Sequence, residues 1–506
     1  MSKRMKFFYN GILLTLVGLA MRASGLFLGA YVSSAIGAEG IGLQGLVSTA
    51  YSFAVTFATS GVSLSVTRLV AAAIGEGNKD GDKVLRGAFV YAAVFGSVAT
   101  ILLFLLSRVI GVGVFSDDRA VMALRALSIS LMPIAFSSVI SGYFVAVRRV
   151  TLNAAVQVIG QALRIGLSVV LLMRYSSLGI GYAIFALALG VSITEIVCFA
   201  VALVEFWFDR RIYKTTRYRG YAVKKVAKMA LPLAFSAYVR SFLLSVEHSI
   251  IPKKLITRGN SESEALCSYG YLHGMALPII LFPLTPLSSF SGLLVPEFAE
   301  SEASGSKRRL EYIASVALEK TLTYAIVSAV FIYIFSEEIG YTIYSSYEAG
   351  KFIALLAPII PIMYLDHVTD AMLKGIGEQV FSMWVNIADS FLSVILVFFL
   401  IPIFDIQGYA IVIIVMEIFN FVLSFLRLRG RVSFRINILR GVIFPFIAAL
   451  LSAALTFSLF DSNGRDASAY ILIGKIVFAV CAFVMCVIIF ESFLNERGTK
   501  SEKCKI

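Results

Sequence analysis

Apolar runs of twenty residues or more recur along nearly the whole chain, and such runs have few ways to fold. A helix needs roughly 20 mostly apolar residues to cross a hydrocarbon core of about 30 Å. Runs of this kind cover residues 9–32, 43–74, 84–107, 121–147, 152–173, 178–208, 226–251, 265–295, 312–335, 352–373, 380–400, 409–426, 438–459 and 469–493. In lipid a backbone N–H or C=O has no water partner, so helices are the expected form. The chain therefore reads as an all-α integral membrane protein with about 14 transmembrane helices. Lys3, Arg4 and Lys6 ahead of the first run resemble the start of a signal peptide. The run outlasts signal length and carries Arg22, so it reads as an uncleaved first span.

Composition agrees. Apolar residues make up 59% of the chain and charged residues 15%, against about 45–50% and about 25% in soluble domains. The net charge of +13 could suggest nucleic acid, but its distribution argues for a bilayer. With the N-terminus in the cytoplasm, Lys and Arg crowd the internal loops (Arg148, Arg149, Arg210, Arg211, Lys224, Lys225) and thin out in the external ones (Arg108, Arg119, Lys253). That asymmetry is the positive-inside rule, and it predicts a multi-pass protein with both termini cytoplasmic. The basic loops are expected to meet anionic lipid headgroups, and no nucleic-acid partner is expected. The five cysteines show no C-x-x-C spacing, so neither a zinc site nor a disulfide framework is expected.

The longest polar interruption is the basic stretch 209–228. It divides the chain into an N-terminal six-helix lobe (1–208), a cytoplasmic linker (209–228), a C-terminal six-helix lobe (229–430) and two further spans with a cytoplasmic tail (431–506). A residue offset of 225 pairs Gly45 with Gly270, Pro133 with Pro358, Arg22 with Glu247 and Arg164 with Asp389. Two six-span repeats in one orientation would give pseudo-two-fold symmetry about the membrane normal, with a cavity between the lobes. Pro278, Pro283 and Pro286 interrupt the eighth run, beside Ser288, Ser289 and Ser291. Each Pro removes a helix donor, so the freed carbonyls need partners and the stretch is a candidate hinge.

Charges inside the runs are the most informative residues. A charged side chain at mid-span costs about 2.5–3.5 kcal/mol on insertion scales, so it is expected to face a partner or a cavity. Arg22, Arg68, Arg164 and Arg240 are cationic, and a guanidinium offers a planar fork of donors to phosphate oxygens. The alternative is an Arg that reaches the headgroups from a span end. Glu247, Asp366, Asp370 and Asp389 supply carboxylates, with Asn386 three residues before Asp389. Asp366 and Asp370 share a helix face. Carboxylates beside neutral oxygens can hold Na⁺ or exchange H⁺, either of which would couple transport to an ion gradient. The alternative is a structural pair, such as Glu247 with Arg22 or Arg240. His273 is a candidate polar group of the eighth run. No Walker loop, H-E-x-x-H or G-x-S-x-G motif occurs, so the chain is not expected to be an enzyme and no cofactor beyond a coupling ion is expected.

Met21-Arg-Ala-Ser-Gly-Leu-Phe-Leu-Gly and Ile36-Gly-Ala-Glu-Gly-Ile-Gly-Leu resemble the opening of the multidrug/oligosaccharidyl-lipid/polysaccharide flippase superfamily. Gly61-Val-Ser-Leu-Ser-Val-Thr-Arg68 resembles its second-span motif, and Gly142-Tyr-Phe, Tyr269-Gly-Tyr, Leu294-Val-Pro-Glu297 and Ala357-Pro358 follow in family order. The likeness is greatest to the polysaccharide-transporter branch, including stage V sporulation B-type proteins and lipid II flippases. It implies two six-helix lobes around a cationic cavity, alternating access, and two extra C-terminal helices. It further implies substrate contacts at Arg22 and Arg68, with His273 departing from the Arg of the eighth span. Glu247, Asn386 and Asp389 are the counterparts of a Na⁺ site.

The expected function is translocation of an undecaprenyl-pyrophosphate-type oligosaccharide or peptidoglycan precursor across a bacterial plasma membrane. The expected partners are that lipid-linked sugar and the membrane lipids, with the chain acting as a monomer. A cation-coupled multidrug exporter of the same superfamily is the alternative. A membrane glycosyltransferase would need an acidic cluster at an extramembrane face, which the sequence does not offer.

Overall fold

A computed structural model describes residues 3–75, 81–147, 149–212, 222–460 and 469–503. Residues 213–221 of the expected linker and Cys504 lie outside the described residues. In chain order the helices are α1 (Lys3–Thr59), α2 (Val62–Gly75), α3 (Gly81–Arg108), α4 (Arg119–Ser128), α5 (Leu131–Ala146), α6 (Val150–Tyr175) and α7 (Ile180–Ile212). Next come α8 (Val223–Arg258), α9 (Glu262–Tyr269), α10 (Leu277–Leu281), α11 (Leu284–Ala303), α12 (Lys307–Ile334) and α13 (Ser336–Tyr344). The last six are α14 (Tyr347–Leu356), α15 (Ile360–Gly375), α16 (Gln379–Phe404), α17 (Ile406–Arg431), α18 (Phe444–Phe460) and α19 (Ala469–Lys503). No strand occurs among the described residues.

Among the described residues, ten helices are long and apolar enough to cross a membrane, or up to thirteen if each of three bent pairs is one span. The 57 residues of α1 would extend about 85 Å as an unbroken helix, far beyond one bilayer. Gly37 interrupts it with φ 68° and ψ −176°, a backbone region open to glycine alone at little cost. The outward faces are hydrocarbon: Leu105 is 67% exposed, Met173 69% and Phe399 62%. Water would penalise such a surface, whereas lipid is its natural solvent.

The chain forms two compact units, each built from separated stretches. Unit 1 holds Met1–Ala30, Tyr271–Asp389 and Ala410–Ile506; unit 2 holds Tyr31–Gly270 and Ser390–Tyr409. In unit 1, Leu294 and Phe298 of α11, Leu318 of α12, Leu365 and Met372 of α15 and Leu428 of α17 form a buried cluster. In unit 2, small residues set the helix spacing. A Cβ at Gly42 would lie 2.1 Å from the Leu266 carbonyl oxygen, and one at Gly270 would lie 2.2 Å from that of Ala38. Only glycine permits this approach, the usual device by which membrane helices gain van der Waals contact without a hydrophobic drive. The break between α1 and α2 is at Ser60 and Gly61, both with positive φ. The buried Ser60 hydroxyl bonds to Tyr91 at 2.7 Å and accepts from Tyr238.

Candidate functional site

The run expected to hold a hinge is bent at Pro283. The helical run Glu262–Leu281 meets Leu284–Ala303 at a bend of 57°. Proline removes the donor that would close the turn, leaving carbonyls exposed in an apolar setting. Two tyrosine hydroxyls bond to carbonyls at the bend. The hydroxyl of Tyr364 on α15 donates to Ile280 O at 2.8 Å, and that of Tyr324 on α12 donates to Pro283 O at 2.8 Å. The two rings stack with centroids 6.3 Å apart. Arg22 of α1, also in unit 1, is half-buried and has Tyr364 as its electrostatic neighbour. Among the described residues no carboxylate pairs with Arg22. His273 lies in the π-helical turn Gly270–Ala276 between α9 and α10, the wide kind of turn frequent at functional sites.

Unit 1 also gathers three of the expected carboxylates. Asp366 and Asp370 lie one turn apart on α15. Asp366 interacts with Asp370 and Asp389, and with Lys374, and is hydrogen-bonded to Ser424 of α17. Lys374 Nζ sits 2.6 Å from Asp370 Oδ2. Oδ1 of Asp366, Oδ1 of Asp370, Oγ1 of Thr369 and Oγ of Ser382 are buried and have no hydrogen-bond partner among the described residues. Asn386 donates to Ser382 O at 2.7 Å. Three acids, one ammonium and several unsatisfied oxygens thus share the α15–α16–α17 region. Like charges held near one another repel, and the Lys374 ammonium beside Asp370 offsets part of that repulsion. Among the described residues no set of three or more His, Cys, Asp or Glu is arranged to hold a metal ion.

Unit 2 holds the remaining candidates. Arg164 Nη2 on α6 meets Glu195 Oε1 on α7 at 2.9 Å. Glu247 and His248 on α8 are 6% and 9% exposed. His248 Nδ1 lies 3.0 Å from the Tyr269 hydroxyl, and the Tyr409 ring is 6.3 Å from the imidazole. Tyr269 and Tyr409 are both electrostatic neighbours of Glu247. Arg68 and Arg240 are exposed, and among the described residues neither has a salt-bridge partner. Glu247 therefore belongs to one unit, and Asn386 and Asp389 to the other.

Several participants escaped the sequence. Glu195 is an acid within an apolar run, so the criterion that selected Asp389 could have found it. Lys475 within the last run is another such case. Its ammonium, on a residue 8% exposed, reaches Glu338 Oε1 of α13 at 2.8 Å and lies over the Phe457 ring. Ser424, Tyr324 and Tyr364 carried no signal, since hydroxyl residues are ordinary in membrane helices.

A family model described as polysaccharide biosynthesis protein matches residues 7–300. Stage V sporulation protein B of Bacillus subtilis (strain 168) is 24% identical over 421 residues, covering 81% of this chain and 80% of its own. Sporulation protein YkvU of the same organism is 22% identical over 348 residues, covering 68% and 76%. Among solved structures, the lipid II flippase MurJ in an inward closed conformation aligns with a TM-score of 0.72 at 16% identity, covering 96% of this chain and 99% of that one. An inward-facing MATE multidrug resistance transporter of the MOP superfamily aligns with a TM-score of 0.64 at 16% identity, covering 83% and 98%. The fold is therefore that of the superfamily the sequence motifs resemble. With the family match spanning more than half of its length, the chain belongs to the polysaccharide biosynthesis protein family.

Proposed function

We propose that the chain is a flippase. It carries an undecaprenyl-pyrophosphate-type oligosaccharide or peptidoglycan precursor across the bacterial plasma membrane by alternating access, with both termini in the cytoplasm. The observation that carries this reading is Arg22. It is a half-buried guanidinium within an apolar helix, with Tyr364 as its electrostatic neighbour and no acid partner among the described residues. An intramembrane cation left without an acid is suited to an anionic ligand. Its fork of donors matches a phosphate, and the Tyr364 hydroxyl is already committed to Ile280 O. Arg68 and Arg240 are exposed cations of unit 2 and are candidates for phosphate contact in their own right. Arg164 is engaged by Glu195, and we assign it a structural role. The family description and the names of the two Bacillus relatives support a sugar-polymer precursor used in a cell or spore envelope.

Energy for transport would come from the carboxylates of unit 1. Asp366, Asp370 and Asp389, with Ser424 and Asn386, would take up H⁺ or Na⁺; His273 in its wide turn and Glu247 in unit 2 are further polar candidates. The acid cluster and the MATE-like fold favour one competing reading, a cation-coupled drug exporter. Proteoliposomes separate the two. With a fluorescent lipid-pyrophosphate sugar, the wild type should translocate the headgroup and Arg22→Ala should lose at least tenfold in rate, about 1.4 kcal/mol of interaction with phosphate. Asp366→Asn should retain exchange but lose its dependence on a Na⁺ or pH gradient. Gradient-driven efflux of a hydrophobic cation, with no lipid-sugar movement, would establish the exporter instead.

A further inference from the structure

We propose that unit 2 carries a binding groove for one acyl chain of an anionic phospholipid, with Lys253 holding the headgroup phosphate. The groove encloses about 480 Å³ between α1, α3 and α8, and its lining is almost wholly apolar. Phe53 and Phe242 form one wall with their ring centroids 5.9 Å apart. Leu102 and Leu106 of α3 and Phe242 are 45%, 44% and 54% exposed, so the groove opens at the surface of the helices. Along α8 it runs from Phe242 to Lys253, a rise of about 16 Å, or about half the hydrocarbon thickness. That is the depth of one leaflet.

The two hydroxyls in the lining do not soften it. Ser245 donates to Ser241 O at 2.9 Å and Ser249 donates to Ser245 O at 2.5 Å. With both turned back onto their own helix, the cleft offers water no set of polar partners and favours hydrocarbon. Charge decides which hydrocarbon. Lys253 closes one end of the groove, near the end of α8 at Arg258. Its ammonium donates to Gly113 O at 2.8 Å, and among the described residues it has no acid partner. One donated bond leaves two N–H groups for a phosphate at the headgroup level. Lys254 is less available, because its Nζ lies 3.4 Å from the centre of the Phe398 ring. An isolated cation at the mouth of an apolar cleft one leaflet deep fits a phosphate-headed lipid. The proposal is independent of what the chain transports.

The test uses the full-length protein in nanodiscs containing phosphatidylglycerol whose acyl chain bears a photoactivatable diazirine. Peptides from α1, α3 and α8 should be labelled in preference to the lipid-facing surface of α19. Lys253→Gln should lower labelling by phosphatidylglycerol about fivefold, the share one Lys contributes to attracting an anionic surface, and lower labelling by a phosphatidylcholine probe less, because the choline cation offsets the charge of the same phosphate. Leu102→Trp, which fills the groove, should abolish both. Competition on the wild-type protein by unlabelled phosphatidylglycerol provides a readout that needs no variant. Equal labelling of the groove and α19 would overturn the proposal. So would displacement by undecaprenyl phosphate with none by phosphatidylglycerol, since the occupant would then be an isoprenoid carrier.

Discussion

Arg164 and Glu195 should behave as one structural element, and a double-mutant cycle measures it. Their N···O separation is 2.9 Å, with side-chain exposures of 40% and 23%. At an effective dielectric of about 20 the Coulomb term at this distance is about 6 kcal/mol. Screening at the partly exposed Arg and the cost of removing both groups from a better solvent reduce the net coupling to about 2 kcal/mol. Arg164→Gln or Glu195→Gln alone strands a charge between two apolar helices and should cost about 2–3 kcal/mol. The double variant replaces the ion pair with two amides and should cost about 2 kcal/mol less than the sum of the singles. The assay is the temperature at which half the detergent-solubilised protein stops eluting as a single species. Losses that add within about 0.5 kcal/mol would refute the pairing. So would an Arg164→Gln protein of unchanged stability that no longer moves the lipid-linked sugar, because that places the guanidinium on the substrate.

Two other expectations concern the loops and the helix spacing. Glu378, between α15 and α16, accepts hydrogen bonds from Arg427 at 2.8 Å and from Arg431, and these hold its carboxyl below the usual range. A lowered native pKa makes its contribution complete above the unfolded-state value of about 4.3 and removes it as pH falls through the native value. Glu378→Gln should therefore melt below the wild type at neutral pH and converge with it in acid; a gap that persists at low pH would remove the charge explanation. Gly270→Leu should prevent accumulation of folded protein, because its first side-chain carbon would lie 2.2 Å from Ala38 O. Normal yield and melting of that variant would show that the helices can separate without loss.

The legible part of this molecule was its solvent. Runs of twenty apolar residues, basic loops alternating in sign of crossing, and prolines clustered in the eighth run follow from hydrocarbon thickness and from the absence of backbone partners in lipid. These are local properties of a linear chain. The bend at Pro283 was legible for the same reason, but its partners, Tyr324 and Tyr364, were not. A phenol forty to eighty residues away becomes a donor there only when packing brings it to a carbonyl of the bend. Intramembrane charges could likewise be found along the chain but not sorted. Arg164 and Arg22 carry the same guanidinium inside similar apolar runs. Packing of α6 on α7 gives Arg164 a carboxylate 2.9 Å away, while Arg22 has no acid partner among the described residues. Sequence sets how costly a buried charge is, since that depends on its own chemistry and its apolar neighbours; the tertiary structure alone decides whether another part of the chain offsets the cost, because the partner arrives through space.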